Sequence, residues 1–161
     1  MNLLITKSCN RSCPYCFAKK EVDLDTDISQ GNITEENFIF FLKFLKNNFI
    51  ENVRMLGGEP TMHPNFTRLV EIAQKEGFFI TIFTNGLWKS SVLNYFETNG
   101  VGDVHFLINV NEKRHTKKDE YAKLGKCLEL LSKNGQIGFN IFNEEFDLTF
   151  LEHFITKYNL R

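Results

Sequence analysis

Short apolar runs alternate with amphipathic segments along this 161-residue chain, and this alternation limits the folds it can adopt. The segments between the runs repeat apolar residues every three or four positions, which predicts helices. Strands that alternate with such helices predict an α/β fold with a parallel sheet and right-handed crossovers. The sequence therefore predicts one domain of five β-α units over residues 1–161. Its strands are predicted at Leu3–Thr6, Val53–Leu56, Phe78–Phe83, Val104–Val110 and Ile137–Phe142.

Punctuating residues mark where the predicted helices begin and end. Side chains that cap the first turn, prolines near the start and glycines after the last turn are the usual signals. Starts are predicted at Thr34, Pro64 and Asp147, and ends at Gly77, Gly100 and Gly135.

Three polar or glycine-containing motifs directly follow the first three predicted strands. They are the cysteine run after strand one, Gly57-Gly58-Glu59-Pro60 after strand two, and Thr84-Asn85-Gly86 after strand three. Parallel α/β folds place their binding and catalytic residues at the carboxyl ends of the strands. We therefore expect the three motifs to converge on one edge of the sheet.

Three of the four cysteines, Cys9, Cys13 and Cys16, lie close together with the spacing C-x3-C-x2-C. Clustered thiols of this kind indicate a metal rather than disulfides. Three thiolates on a four-iron cluster leave one iron open to a small molecule, whereas a structural zinc site needs four ligands. From the cysteines alone, an iron–sulfur cluster, a zinc site completed by His63 or His105, and three thiols without metal all remain open. Cys127 lies on the apolar side of a predicted helix, which favours a role in the core.

The cysteine spacing after a first strand resembles the signature of radical S-adenosylmethionine (radical SAM) enzymes. The run Gly57-Gly58-Glu59-Pro60 resembles the second signature of that family, at the end of strand two. The pattern is most similar to the peptide- and protein-modifying members of the sulfatase-maturase-like, SPASM type, without their C-terminal extension. The resemblance implies a partial (β/α) TIM-type barrel, with five of the usual six β-α units. The chain is then a compact or truncated radical SAM core, or the core of a longer protein.

The resemblance also implies the cofactors and the chemistry. Cys9, Cys13 and Cys16 would each ligate one iron of a [4Fe–4S] cluster, and S-adenosylmethionine (SAM) would chelate the fourth. The reduced cluster would cleave SAM to a 5′-deoxyadenosyl radical that abstracts hydrogen from a substrate, with a peptide or protein favoured. The alternatives are an activase or small-metabolite enzyme, and a non-catalytic zinc- or cluster-stabilised binding module. A flavodoxin or ferredoxin is the implied electron donor.

The motif positions further imply which residues bind SAM. Tyr15 matches a position that packs near the adenine. Gly57, Gly58 and Glu59 match the segment that receives the methionyl ammonium, because glycine lets the backbone approach a ligand and a carboxylate accepts from an ammonium.

Later strands contribute the remaining predicted contacts. Thr84 and Asn85 match a strand-three end that shapes the cofactor site. Strand four departs from the family pattern, because many relatives end it with Ser-x-Asp-Gly where this chain has Asn109-Val110-Asn111-Glu112. Asparagine both donates and accepts hydrogen bonds, so Asn109 and Asn111 are predicted to replace those contacts.

Charge and hydropathy exclude several other classes of function. The formal net charge of −1 gives no sign of a nucleic-acid partner. The apolar run at the N-terminus is too short for a signal peptide, and no stretch approaches the length of a membrane span. The expected location is the cytoplasm.

Overall fold

The computed structural model describes residues 1–16, 31–112, 117, 119–141, 144–145 and 147–160. Within these ranges five strands alternate with five α-helices, and one 3₁₀ turn lies at Pro60–Met62. The strands are β1 (Asn2–Thr6), β2 (Asn52–Gly57), β3 (Phe79–Thr84), β4 (Val104–Asn109) and β5 (Gly135–Gly138). The helices are α1 (Glu35–Asn47), α2 (Phe66–Lys75), α3 (Ser90–Asn99), α4 (Glu120–Leu131) and α5 (Thr149–Tyr158).

The sheet confirms the predicted parallel α/β arrangement. Its strand order is β1-β2-β3-β4-β5, and every neighbouring pair runs parallel. Sequential order with parallel pairing means that each strand is followed by a crossover to the next. All five carboxyl ends therefore lie at the same edge of the sheet.

The two faces of the sheet have different environments. Alternate residues such as Met55, Ile82 and Phe106 are fully buried in the hydrophobic core beneath the helices. The intervening residues, including Phe83 and Leu107, are half-buried and line a cleft on the other face. Successive side chains of a strand point to opposite faces of the sheet. Because the helices cover one face, the side chains on the other face are available to a ligand.

Most helix ends agree with the sequence, and three differ. Helix α2 begins at Phe66, with Asn65 as its N-cap, rather than at Pro64. Thr34 caps α1, since its hydroxyl accepts from the amide of Asn37 at 3.1 Å. Helix α5 has Leu148 as its N-cap, and Asp147, one residue earlier, accepts from the amide of Thr149. Gly135 does not end α4; it begins β5.

Strand β5 is displaced from its prediction. It begins two residues earlier than Ile137 and ends at Gly138, and Phe142 lies outside the described residues. A side chain at Gly135 would meet the carbonyl oxygen of Leu131 at 2.9 Å, so glycine lets the chain turn from the end of α4 directly into β5. The apolar run extends past the paired segment, and apolar character alone does not mark where pairing stops.

Within the described residues no helix has the length and apolar character needed to cross a bilayer.

An aromatic cluster joins α3 to β4 in the core. The ring of Phe96 lies 5.5 Å from those of both Trp88 and Phe106, and 6.4 Å from that of Phe66. Large rings at these distances remove much apolar surface from water and add favourable edge-to-face contacts.

We expect Phe96→Ala to lower the free energy of unfolding by about 3–5 kcal/mol, because the truncation leaves a cavity in this cluster. Phe40→Ala is the matched control, since Phe40 is also helical but 74% exposed, and it should change the value by about 0.5 kcal/mol or less. Urea titrations of both variants would measure the difference. Equal losses would contradict the placement of Phe96 in the core.

Candidate active site

A cleft opens at the carboxyl ends of the strands and brings the predicted motifs together. The cysteine loop forms one side, the turn after β2 lies in the middle, and the ends of β3 and β4 form the opposite side. Ten of the eleven predicted site residues line it. Its lining residues are Cys9, Arg11, Cys13, Tyr15, Cys16, Leu56, Gly57, Gly58, Glu59, Phe83, Thr84, Asn85, Leu107, Asn109 and Asn140.

The three cysteines lie on the short loop that follows β1. The amide of Cys16 donates to the carbonyl oxygen of Cys13 at 3.2 Å, and the Cys9 sulfur accepts from the amide of Arg11 at 3.5 Å. All three thiols are half-buried, so they border the cleft without being enclosed in the core. Within the described part of the chain, no three His, Cys, Asp or Glu side chains are gathered as ligands of a single metal ion.

The glycines after β2 let that turn pack directly against the cysteine loop. A side chain at Gly57 would meet the carbonyl oxygen of Thr6 at 2.7 Å, and one at Gly58 would meet the Cβ of Cys9 at 2.8 Å. The amides of Gly58 and Glu59 donate to carbonyl oxygens of Thr6 and Ser8. Any larger residue would push the cysteine loop away from the sheet.

Glu59 is buried beneath the cleft with both carboxylate oxygens hydrogen-bonded. Its Oε1 accepts from the amide and hydroxyl of Thr61, at 3.3 and 2.7 Å, and from the hydroxyl of Thr84 at 2.7 Å. Its Oε2 accepts from the amide of Asn85 at 2.7 Å. Burial raises the pKa of Glu59, and these hydrogen bonds oppose that rise. Because a backbone N–H faces each oxygen, the surroundings fit the ionised carboxylate.

Asn85 connects the end of β3 to the cysteine loop. Its side-chain NH₂ donates to Asn10 Oδ1 at 2.7 Å, and Asn10 in turn donates to the carbonyl oxygen of Leu87 at 2.8 Å. Beside it, the Thr84 hydroxyl accepts from the indole N–H of Trp88 at 2.8 Å. Two loops that are far apart in sequence are thereby held together.

The two asparagines after β4 have different positions. Asn109 lines the cleft, whereas Asn111 is buried behind it and donates its NH₂ to Asn109 Oδ1 at 3.0 Å. The Oδ1 of Asn111 is buried and accepts no hydrogen bond from the residues that the structure describes. Asn111 is thus the one predicted site residue that does not border the cleft, and its observed contact orients Asn109.

A buried ion pair connects the cysteine loop to α4. The sequence did not predict it. Arg11 Nη2 lies 3.2 Å from Glu120 Oε2, and the two side chains are only 8% and 10% exposed. Glu120 also accepts from the amide of Lys117 at 3.0 Å. The two residues are 109 positions apart, so no local pattern in the sequence could pair them.

Burial changes the acidity of the groups around the thiols. It raises the pKa of Cys9 to about 11, opposed by the Arg11 amide and increased by the charge of Glu59. The pKa of Tyr15 is also raised, first by burial and then by its hydrogen bond with Cys13. Metal ligation requires thiolates, so positive charge from metal ions would have to stabilise the ionised form of Cys9.

Neither the fourth cysteine nor His63 supplies a further ligand. Cys127 is fully buried in the core. His63 is buried on the outer side of the turn, where Nε2 bonds to the carbonyl oxygen of Ile33 at 2.9 Å and Nδ1 accepts from the amide of Asn65 at 3.1 Å. The suggestion that His63 could complete a zinc site is therefore wrong. His105 is exposed on β4 and does not line the cleft.

Among the residues that the structure describes, three thiols without a fourth protein ligand, beside a turn that only glycine fits, suit a cluster with one open iron better than a closed zinc site. The sequence profile of the Radical SAM superfamily matches residues 3–143. The chain belongs to the Radical SAM superfamily. Members of this superfamily are enzymes that use a [4Fe–4S] cluster and S-adenosylmethionine, and their fold is the partial (β/α) barrel seen here.

Relatives within the superfamily have several different functions. The chain is 35% identical over 86 residues to an S-adenosylmethionine-dependent nucleotide dehydratase of Selenomonas ruminantium, covering 53% of this chain and 29% of that protein. It is 26% identical over 137 residues to a GTP 3′,8-cyclase of Chlorobaculum tepidum, covering 81% and 40%. The chain therefore spans less than half the length of these curated relatives.

Among solved structures the fold is similar to that of SuiB from Streptococcus suis. SuiB bound to S-adenosylmethionine aligns with a TM-score of 0.75 at 20% identity, over 99% of this chain and 38% of SuiB. SuiB bound to its precursor peptide SuiA aligns with a TM-score of 0.72 at 17% identity. The similarity establishes the fold, and the subfamily within the superfamily stays open.

The buried ion pair gives a first test of the site. We expect Arg11→Met to lower the free energy of unfolding by about 3–5 kcal/mol, because it leaves the Glu120 carboxylate buried without its cation. The double variant Arg11→Met/Glu120→Met should lose less than the single one, since Glu120 then no longer leaves a carboxylate buried without its cation. Anaerobic urea titrations of the single and double variants would measure both effects. A double variant less stable than Arg11→Met would contradict this account.

His63 gives a second test through pH. Burial lowers its pKa, so the folded protein holds His63 neutral while the unfolded chain binds a proton more readily, with a pKa of about 6.5. Stability from this group is therefore present above about pH 6.5 and is lost as pH falls below it.

We accordingly expect the free energy of unfolding to fall between pH 7.5 and 5.5, and His63→Gln to make this fall smaller. The control His105→Gln should retain the wild-type dependence. Parallel slopes for wild type and His63→Gln would show that His63 does not titrate on unfolding.

Proposed function

We propose that this chain is a radical SAM catalytic core in which Cys9, Cys13 and Cys16 hold a [4Fe–4S] cluster. The observation that carries the proposal is the meeting of three thiols on one loop with the Gly57-Gly58 turn, in one cleft. When bound, the cluster and SAM supply reductive carbon–sulfur cleavage, which forms a 5′-deoxyadenosyl radical that takes hydrogen from a substrate. Residues 1–161 would form a single domain.

The residues of the chain would then bind and orient SAM. The segment Gly57–Glu59 receives the methionyl end, because its glycine backbone lies directly beside Cys9. Tyr15, half-buried on the cysteine loop, packs near the adenine. A ligand held between these groups is oriented toward the open iron and kept from bulk water.

The ends of β3 and β4 would complete the SAM site from the opposite side. Thr84 and Asn85 shape the wall of the cleft after β3. Asn109 supplies an amide group at the end of β4, and Asn111 holds that amide in place. Neither asparagine provides the carboxylate that many relatives have there, so polar contact from β4 comes from amide groups alone.

A peptide or protein is the substrate class that we favour. The support is the similarity in fold to SuiB, which has been solved with its precursor peptide SuiA. A small metabolite is the second candidate, because the nucleotide dehydratase and the GTP 3′,8-cyclase share sequence with this chain. An activase and a non-catalytic binding module are the remaining alternatives; cofactor cleavage would exclude the binding module.

Reductive cleavage requires an electron donor, and we propose a flavodoxin or ferredoxin. Such donors and reduced thiols both belong in the cytoplasm, where we place this protein.

Cluster binding tests the ligand assignment. Cys13→Ala should abolish it, because a loop with two thiols cannot hold three irons. Cys127→Ala, a buried thiol outside the cleft, should keep the wild-type iron content. Iron and sulfide would be quantified after anaerobic reconstitution. Equal loss in both variants would show that the ligands are assigned wrongly.

Electron paramagnetic resonance (EPR) tests the proposed chemistry. The reduced, reconstituted protein should give a [4Fe–4S]¹⁺ signal that changes when SAM is added. Formation of 5′-deoxyadenosine under reducing conditions should accompany it. Bound zinc in place of a cluster would favour the binding module.

Co-expression tests the substrate class. Peptides encoded beside the gene would be co-expressed with wild type or with Cys13→Ala and then weighed by mass spectrometry. A change in peptide mass that requires Cys13 would favour a peptide substrate over a small metabolite.

A further inference from the structure

The carboxylate of Glu59 borders the cleft, yet it is buried and both of its oxygens are hydrogen-bonded within the fold. The residue is 1% exposed. Its two oxygens together accept four hydrogen bonds, all from protein donors. Both oxygens of Glu59 already accept from donors within the fold, so they leave little acceptor capacity for a ligand ammonium in the cleft.

The donors come from two different loops. Thr61 belongs to the turn after β2, whereas Thr84 and Asn85 belong to the end of β3. No ion pair among the described residues includes Glu59, so its negative charge is stabilised there by neutral hydrogen-bond donors. Hydrogen bonds to an ionised acceptor are about twice as strong as those between neutral groups. The carboxylate therefore joins the two loops more firmly than neutral side chains would.

The connection continues into the cysteine loop. The amide of Asn85 donates to Glu59, and the side chain of Asn85 donates to Asn10, which directly follows Cys9. A displacement of Asn85 would therefore change the position of the loop that bears the proposed cluster ligands.

We propose that Glu59 is a positioning residue: its buried carboxylate holds the loops after β2 and β3 together and, through Asn85 and Asn10, fixes the cysteine loop. This inference rests on the proposed SAM site. It assigns the methionyl ammonium to the backbone of the Gly57–Glu59 segment rather than to the Glu59 side chain.

Glu59→Gln is the central variant because it keeps the shape of the side chain. Whichever way the glutamine amide turns, its NH₂ faces a backbone N–H, either that of Thr61 or that of Asn85. Thr61→Val is the second variant. It removes one donor to Glu59 and leaves the groups that line the cleft in place, because Thr61 does not line it. Thr67→Val, on α2 and also away from the cleft, is the matched control.

The first readout is hydrogen exchange of residues 84–88 in the reconstituted protein without SAM. We expect protection to fall at least about tenfold in Glu59→Gln and by a smaller factor in Thr61→Val, with no change in Thr67→Val. Protection of α5, away from the cleft, should be unchanged in all three. Wild-type protection of residues 84–88 in Glu59→Gln would overturn the proposal. If Glu59→Gln does not fold, the same criterion applies to Thr61→Val.

The second readout is the SAM concentration that gives half of the change in the cluster EPR signal. It is compared among variants whose melting temperature equals that of wild type. A positioning role predicts that Thr61→Val raises this concentration. A direct contact with the ammonium predicts that only Glu59→Gln raises it, and that outcome overturns the proposal. If SAM changes no signal even in wild type, the proposed function fails while hydrogen exchange still decides the role of Glu59.

Discussion

The close contact between the turn after β2 and the loop after β1 is the constraint on which the site depends. Parallel pairing of β1 with β2 places Thr6 opposite Gly57, so the cysteine loop and the glycine turn leave the sheet side by side. Their backbones then approach so closely that a Cβ at Gly58 would collide with Cys9. The glycines therefore serve two purposes, because they admit the cysteine loop and leave open backbone beside the thiols. Every other group in the cleft is arranged around this contact.

Buried polar groups then fix the loops that the sheet alone would leave loosely placed. Glu59 joins the ends of β2 and β3, and the Arg11–Glu120 ion pair connects the cysteine loop to α4. Such groups are costly to bury and become favourable only when each one finds its partners. The cleft is thus bordered by buried polar interactions that each become unfavourable if one partner is removed. This arrangement suits a site that must hold a ligand in one orientation against thiols at the edge of the fold.

Superfamily membership and the cleft limit the chemistry of this chain without limiting its substrate. Relatives with similar sequence include enzymes named for nucleotides, and SuiB, with a similar fold, binds a peptide. The chain covers less than half of those relatives. The part that they share with this chain contains the cofactor site proposed above, and one such core can serve several substrate classes.

The sequence by itself determined the parallel α/β class and the order of its elements, and ten of its eleven predicted site residues are among the fifteen that line the cleft. It could do so because periodicity and motif spacing are local, and because parallel strands bring their carboxyl ends to one edge. It misplaced β5, since pairing with β4 rather than apolar character sets where that strand ends. Only the tertiary structure decided which polar groups meet. It pairs Arg11 with Glu120, places four donors around Glu59, and buries Asn111 behind Asn109. The sequence left His63 open as a zinc ligand, and packing places it outside the cleft, where the carbonyl oxygen of Ile33 and the amide of Asn65 engage both ring nitrogens. The physical reason is common to all of these, because a hydrogen bond or an ion pair depends on distances between residues far apart in the chain, and those distances exist only after the sheet and helices have packed.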